Sequence, residues 1–189
     1  MPRKKGRTIY FDTNAVLDFI LKRSNNATLL VESIKSRRWS MITSTLTIVE
    51  MSDWKKRDLF IRNKLELNWG MDSIFNQKNK TDLGKYEFEK VEKWLLEQAP
   101  SLNLSFVDLS GAAWEKVREI STSTNLLAKD ALHFGTALAA AVNDQCDTLI
   151  TSDGDFKKEA DEYLKIKRLK QKLKVMTPKE FVKEFPPSY

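Results

Sequence analysis

The stretch "TIYFDTNAVLDF", Thr8 to Phe19, sets an aspartate, a threonine and an asparagine directly after four β-branched and aromatic residues. Thr8-Ile9-Tyr10-Phe11 reads as a central strand, which wants apolar side chains on both faces. Asp12 ends the run, and an apolar helical pattern (Ala15, Val16, Phe19, Ile20) follows. In open α/β sheets ligands bind just beyond the carboxyl ends of parallel strands, so a carboxylate at this point is a site candidate. It is equally well placed as a helix N-cap, because Asp, Thr and Asn all cap well. The stretch alone leaves both readings open.

Working outward, helical patterns cover roughly residues 14–22 and 25–37, and a short strand, Ser40 to Thr43, leads into a helix through "TSTLTIVEMSDWKK". Residues 58–98 are charged, with aromatics and leucines at helical spacing, and read as a helical insertion. "LSFVDL" is the next strand, "GAAWEKVREIS" a helix, and "AKDALHFGTALAAAV" an alanine-rich helix packed closely on most sides. "DTLITS", a charged helix over 156–170, the strand "KLKVMT" and the helix "PKEFVKEF" complete the chain. Strands alternating with helices predict an α/β fold whose mainly parallel sheet is covered on both faces. One domain over 1–189 is expected, with the insertion at about 58–98 and a basic arm at 1–7.

Composition excludes several classes. At 41% hydrophobic and 31% charged residues the chain reads as globular, and no apolar run approaches the ~18 residues of a membrane span. The basic start "MPRKKGR" is followed by Asp12, Asn14 and Asp18 where a signal peptide needs an apolar core, so a cytoplasmic protein is expected. Cys146 is the single cysteine, which excludes an intrachain disulfide and leaves a small buried residue as its reading. The net charge of +6 is concentrated in residues 1–7 and in "KIKRLKQKLK", where Lys165, Lys167, Arg168, Lys170, Lys172 and Lys174 stand without an acid, leaving the remainder net negative. Basic patches on a mildly acidic body suit a phosphate-bearing partner, although one such run is ordinarily a solvated face.

Four acids interrupt apolar segments. Asp12 follows the first strand, Glu50 breaks the run Leu46-Thr47-Ile48-Val49, Asp130 heads the alanine-rich helix, and Asp153 follows the strand "LITS". Carboxylates gathered in one pocket repel and are driven to protonate. A hard divalent cation resolves this, and Mg²⁺ or Mn²⁺ is the usual occupant where phosphates are handled.

The constellation resembles the PIN-domain family of metal-dependent ribonucleases. "YFDTN" is similar to the family's first motif, the Glu of "TIVEM" to its second, "KDALHFGTAL" to its third and "LITSDGDF" to its fourth, in order and with matching spacing. The resemblance implies a three-layer α/β/α sandwich. Asp12, Glu50, Asp130 and Asp153 become the acidic quartet holding Mg²⁺ or Mn²⁺, with Asn14 and Thr151 as polar residues beside it. It also implies hydrolysis of RNA phosphodiester bonds to 5′-phosphate and 3′-hydroxyl ends. The insertion is a departure from compact, VapC-like members that act as toxins; for such a toxin the resemblance implies a cognate antitoxin protein and a homodimer. In "TSDGDF", Asp153 is read as the ligand and Asp155, after the glycine turn, as the supporting N-cap of the following helix. The basic run 165–174 is expected to hold RNA close to the acidic pocket. His133, one turn after Asp130, reads better as a satisfied structural residue than as a substrate contact. The rivals are a haloacid-dehalogenase-like phosphatase, which wants an acid where Asn14 stands, a phosphoreceiver module, and a non-catalytic PIN-like RNA-binding protein.

Overall fold

Thr8–Phe11 forms strand β1, buried along its apolar residues, in a computed structural model that describes residues 6–77 and 83–188. Of the expected basic arm, residues 1–5 lie outside the described residues. Helices α1 (Thr13–Ile20) and α2 (Asn25–Ser36) lead to β2 (Ser40–Ser44), followed by α3 (Leu46–Glu66), α4 (Met71–Gln77) and α5 (Lys85–Leu102). Then come β3 (Leu104–Val107), α6 (Gly111–Ser121), α7 (Ala128–Val142), β4 (Thr148–Ile150), α8 (Gly154–Ile166), β5 (Lys174–Met176) and α9 (Pro178–Glu184). Among the described residues the strands make one sheet in the order β3-β2-β1-β4-β5, every neighbouring pair parallel. β1 is the middle strand, and its residues Ile9, Tyr10 and Phe11 are buried, as a strand covered by helices on both faces requires.

The chain divides into two compact units, Met1–Thr45 with Leu104–Tyr189, and Leu46–Asn103. In the first, alternate strand residues face opposite layers. Tyr10, Ile42, Leu149 and Val175 join Ile120 of α6, Phe134 and Leu138 of α7, and Phe156 and Tyr163 of α8 in one core. On the other side α1 packs on α2 and α2 on α9, giving the three-layer α/β/α sandwich. The second unit has its own small core of Leu59, Phe60, Ile74, Leu83 and Val91. Trp54 lies against Trp94 there, with ring centroids 5.6 Å apart.

Two expected boundaries move. The expected start of the insertion at residue 58 falls inside α3, which runs unbroken from Leu46 to Glu66 and carries Glu50 into the second unit. The charged helix expected over 156–170 stops at Ile166, because Arg168 takes a left-handed conformation with φ of 56°. A non-glycine residue there ends a helix rather than extending it.

Candidate active site

The parallel strands place their carboxyl ends on one edge of the sheet. Asp12 follows β1 directly, and its backbone N–H donates to the Ile150 carbonyl at the end of β4 (3.0 Å). Its side chain is both of the things its position in the sequence suggests. Oδ1 accepts from the Ala15 N–H at 2.7 Å, capping α1, and Oδ2 accepts from Thr151 Oγ1 at 2.5 Å. Thr151, fully buried, in turn accepts from the Asp153 N–H at 3.0 Å. The chain of bonds from Asp153 through Thr151 to Asp12 couples the fourth motif to the first across 139 residues.

Asp12 is 3% exposed, and burial pushes its carboxyl up to about 6. The bonds from Thr151 and Ala15 oppose that rise, and the charge of Asp130 adds to it. Asp130, half-buried in the first turn of α7, therefore lies within electrostatic reach of Asp12. Asn14 is exposed in the first turn of α1. Glu50 is half-buried on α3, in the other unit.

The fourth motif needs a correction. Asp153, not Asp155, is the N-cap of α8: its Oδ1 accepts from the N–H groups of Asp155 (2.9 Å) and Phe156 (3.0 Å). Asp153 has the extended backbone of a cap (φ −91°, ψ 117°), so the helix starts at Gly154, two residues earlier than a cap at Asp155 would allow. Asp155 is exposed in the first turn, where its charge meets the helix dipole. The expected place of the basic run also changes. Lys174 opens β5 opposite Thr148, at the amino edge of the sheet, whereas Asp12, Thr151 and Asp153 lie at the carboxyl edge. The run cannot offset repulsion inside the acidic pocket as expected, because α8 leads the chain away from it.

His133 is 2% exposed and uses both ring nitrogens. Tyr10 Oη lies 3.1 Å from Nδ1 and Thr13 Oγ1 lies 3.1 Å from Nε2, so one imidazole on α7 ties together β1 and α1 on either side of Asp12. Tyr10 and Thr13 are contributors the sequence reading missed. A tyrosine inside a strand was the available clue, since a buried phenol requires a partner. Bonds from Ser44 lower the Tyr10 pKa against the rise caused by burial, which is the sense of donation to the phenol oxygen. A phenol that donates to Nδ1 leaves the ring proton on Nε2, facing Thr13 Oγ1. As the chain has one histidine, a ¹⁵N spectrum of the side chain is unambiguous. It should show Nδ1 as a hydrogen-bond acceptor in the parent, and a Tyr10→Phe variant should lose that bond. A Nδ1–H ring in the parent would reverse the direction of the relay.

Among the described residues no three His, Cys, Asp or Glu side chains form a metal-holding group. Mg²⁺ does not require one, since it binds through one or two carboxylates and keeps several waters. Asp12 and Asp130 fit such an ion in kind. They are hard oxygen donors, and the buried one is destabilised as an anion in a way a cation would relieve.

The PIN domain family model matches residues 9–162, a span running from β1 into α8. The chain belongs to the PIN-domain family. This PIN domain also shares its fold with a solved chain from the crystal structure of VapBC2 from Rickettsia felis bound to a DNA fragment from their promoter. The TM-score is 0.51 and the identity 15%, over 90% of this chain and 98% of that one. No curated protein matches this PIN domain in sequence. PIN domains are generally nucleases and generally use divalent metals. The family match sets aside the phosphatase and phosphoreceiver readings. No helix among the described residues is long and apolar enough to cross a membrane.

Proposed function

We propose that this PIN domain is a divalent-metal-dependent endoribonuclease. The observation that supports this best is Asp12, a fully buried carboxyl raised to about 6, fixed at both oxygens and within reach of a second acid at the carboxyl edge of the sheet. A buried carboxylate whose two hydrogen bonds do not offset its desolvation costs stability beside another acid, and such groups cluster at functional sites. Asp12, Asp130 and Asp153 would hold Mg²⁺ or Mn²⁺. When bound, the ion supplies Lewis-acid polarisation of a phosphodiester and a water of lowered pKa. Thr151 and the Ala15 N–H orient Asp12, so its carboxylate needs no reorganisation. Asp153 spends Oδ1 on the helix cap, which presents Oδ2 in a fixed direction.

The fold shared with a VapBC2 chain supports a toxin role, and with it a cognate antitoxin protein as partner. Expression alone and together with an adjacent short reading frame tests that role. Growth arrest relieved by the second gene is the expected result.

The activity is tested by incubating the protein with RNA in Mn²⁺ or EDTA, alongside two variants. Asp153→Asn retains an acceptor for the cap but loses the anion, so cleavage should vanish with the melting temperature unchanged. Asp155→Asn removes an exposed first-turn charge worth about 0.3–1 kcal/mol and should keep its activity. An inactive Asp155→Asn beside an active Asp153→Asn would move the ligand two residues along the chain.

A further inference from the structure

The two basic segments, 1–7 and 165–174, are far apart in sequence, yet the parallel sheet gathers their described residues on one edge. Arg7 immediately precedes β1, and its carbonyl accepts from the Ser40 N–H at 2.9 Å. Arg38 stands two residues before β2, and Lys174 opens β5, with residues 167–173 as the turn that delivers it from α8. A cleft of about 730 Å³ lies at this amino edge, lined by Arg7, Lys172, Asp144, Asp147, Asn143 and Gln145 among others.

The nearby acids are engaged. Asp147 pairs with Arg7 at 2.7 Å, Asp144 with Lys172 at 3.1 Å, Glu119 with Lys167 at 2.7 Å, and Glu184 with Lys174. Arg38, Lys165, Arg168 and Lys170 are all exposed and have no ion pair among the described residues. An excess of unpaired cations on one edge has the character of a phosphate-tracking surface. The acids of the proposed cleavage site are on the opposite edge.

We infer that the amino edge is a second contact surface for the sugar-phosphate backbone of the substrate RNA, separate from the cleavage edge. This inference rests on the ribonuclease reading above and specifies its substrate class. The helix α8 joins the two edges, from Gly154 to Ile166; 13 residues at 1.5 Å each span about 20 Å. The favoured substrate is therefore an RNA extending about that far from the scissile bond, and short oligonucleotides are cut without help from the amino edge.

The test uses the full chain carrying Lys165→Gln, Arg168→Gln and Lys170→Gln together, and Arg38→Gln as a separate variant. Binding of a long labelled single-stranded RNA is followed by fluorescence anisotropy in EDTA over a series of salt concentrations. Cleavage of the same RNA and of a short oligonucleotide is measured in Mn²⁺. The triple variant should lower the salt slope by about two units, since each single-strand phosphate contact contributes about 0.7. It should raise KM for the long RNA by about tenfold while leaving cleavage of the short oligonucleotide at the parent rate. Arg38→Gln should lower the slope by less than one unit. An unchanged slope in both variants overturns the inference. So does an equal loss on long and short substrates, which places the residues at the cleavage site. A lowered slope in a protein that cuts no RNA in Mn²⁺ upholds the surface and rejects the ribonuclease reading. Tight binding of duplex DNA with no binding of RNA overturns the substrate assigned here.

Discussion

An Asp12→Asn variant should cleave no RNA, yet its metal-free form should melt at a higher temperature than the parent at pH 7. The Asp12 carboxyl is raised by burial from 3.8 to about 6. A raised value means that the folded protein holds the proton more tightly than the unfolded chain does. Stability linked to Asp12 is therefore complete below about pH 4 and declines as pH rises through about 6. Two pKa units correspond to about 3 kcal/mol. Asparagine has the same shape without the charge, accepts from the Ala15 N–H as before, and can donate to Thr151. In a chain of this size about 3 kcal/mol corresponds to roughly 6–12 °C in melting temperature. Thermal melts in EDTA should give curves for parent and variant that coincide near pH 4 and separate up to about pH 7, followed by a constant gap. Adding Mn²⁺ should stabilise the parent and not the variant. A variant melting below its parent at pH 7 would show that the ionised carboxylate holds the fold together, and the proposed site would lose its main support.

Gly135→Ala should destabilise the protein, against the direction helix propensity favours. Alanine in a helix interior gains about 1 kcal/mol over glycine. At Gly135 an added Cβ would lie 2.4 Å from Val117 Cγ2, 2.9 Å from its N and 3.0 Å from its Cα. A rotamer change could clear the methyl, but not the backbone atoms, so α7 must move away from α6. Overpacking of this kind costs about 1–3 kcal/mol or more, and Asp130 stands on the same helix α7. The expected net loss is about 2 kcal/mol, with weaker Mn²⁺ binding. Val117→Ala in the same chain should restore part of it by removing the nearer contact. An alanine variant as stable as the parent would mean the two helices separate at no cost.

Much of the architecture was legible because it rests on local pattern. The apolar run before Asp12, the alanine-rich stretch from 128 and the strand before Thr151 each declare element type and polarity within a dozen residues. What stayed hidden depends on backbone detail or on distant pairing. Asp153 and Asp155 are equally good caps by composition, and only the extended backbone at Asp153 decides between them. The basic run follows Asp153 closely in sequence, but α8 carries it to the far edge of the sheet. Nothing between residues 46 and 66 marks a break, and α3 indeed has none. The histidine reading was sound for a physical reason: an imidazole among apolar neighbours needs both nitrogens satisfied, and Tyr10 and Thr13 satisfy them.

The strand order has a consequence for how the protein comes into being on the ribosome. β1 emerges early, but one of its two neighbours in the sheet is β4, and Asp12 does not meet Thr151 until 139 further residues exist. At about 5–20 residues per second, that interval is roughly 7–28 seconds of synthesis. During it the residues 46–103, whose contacts are local, can organise themselves, while the acidic edge stays unassembled. A nascent chain therefore carries no assembled acidic edge until it is nearly complete, and a ribosome that stalls before codon 150 releases a fragment without one.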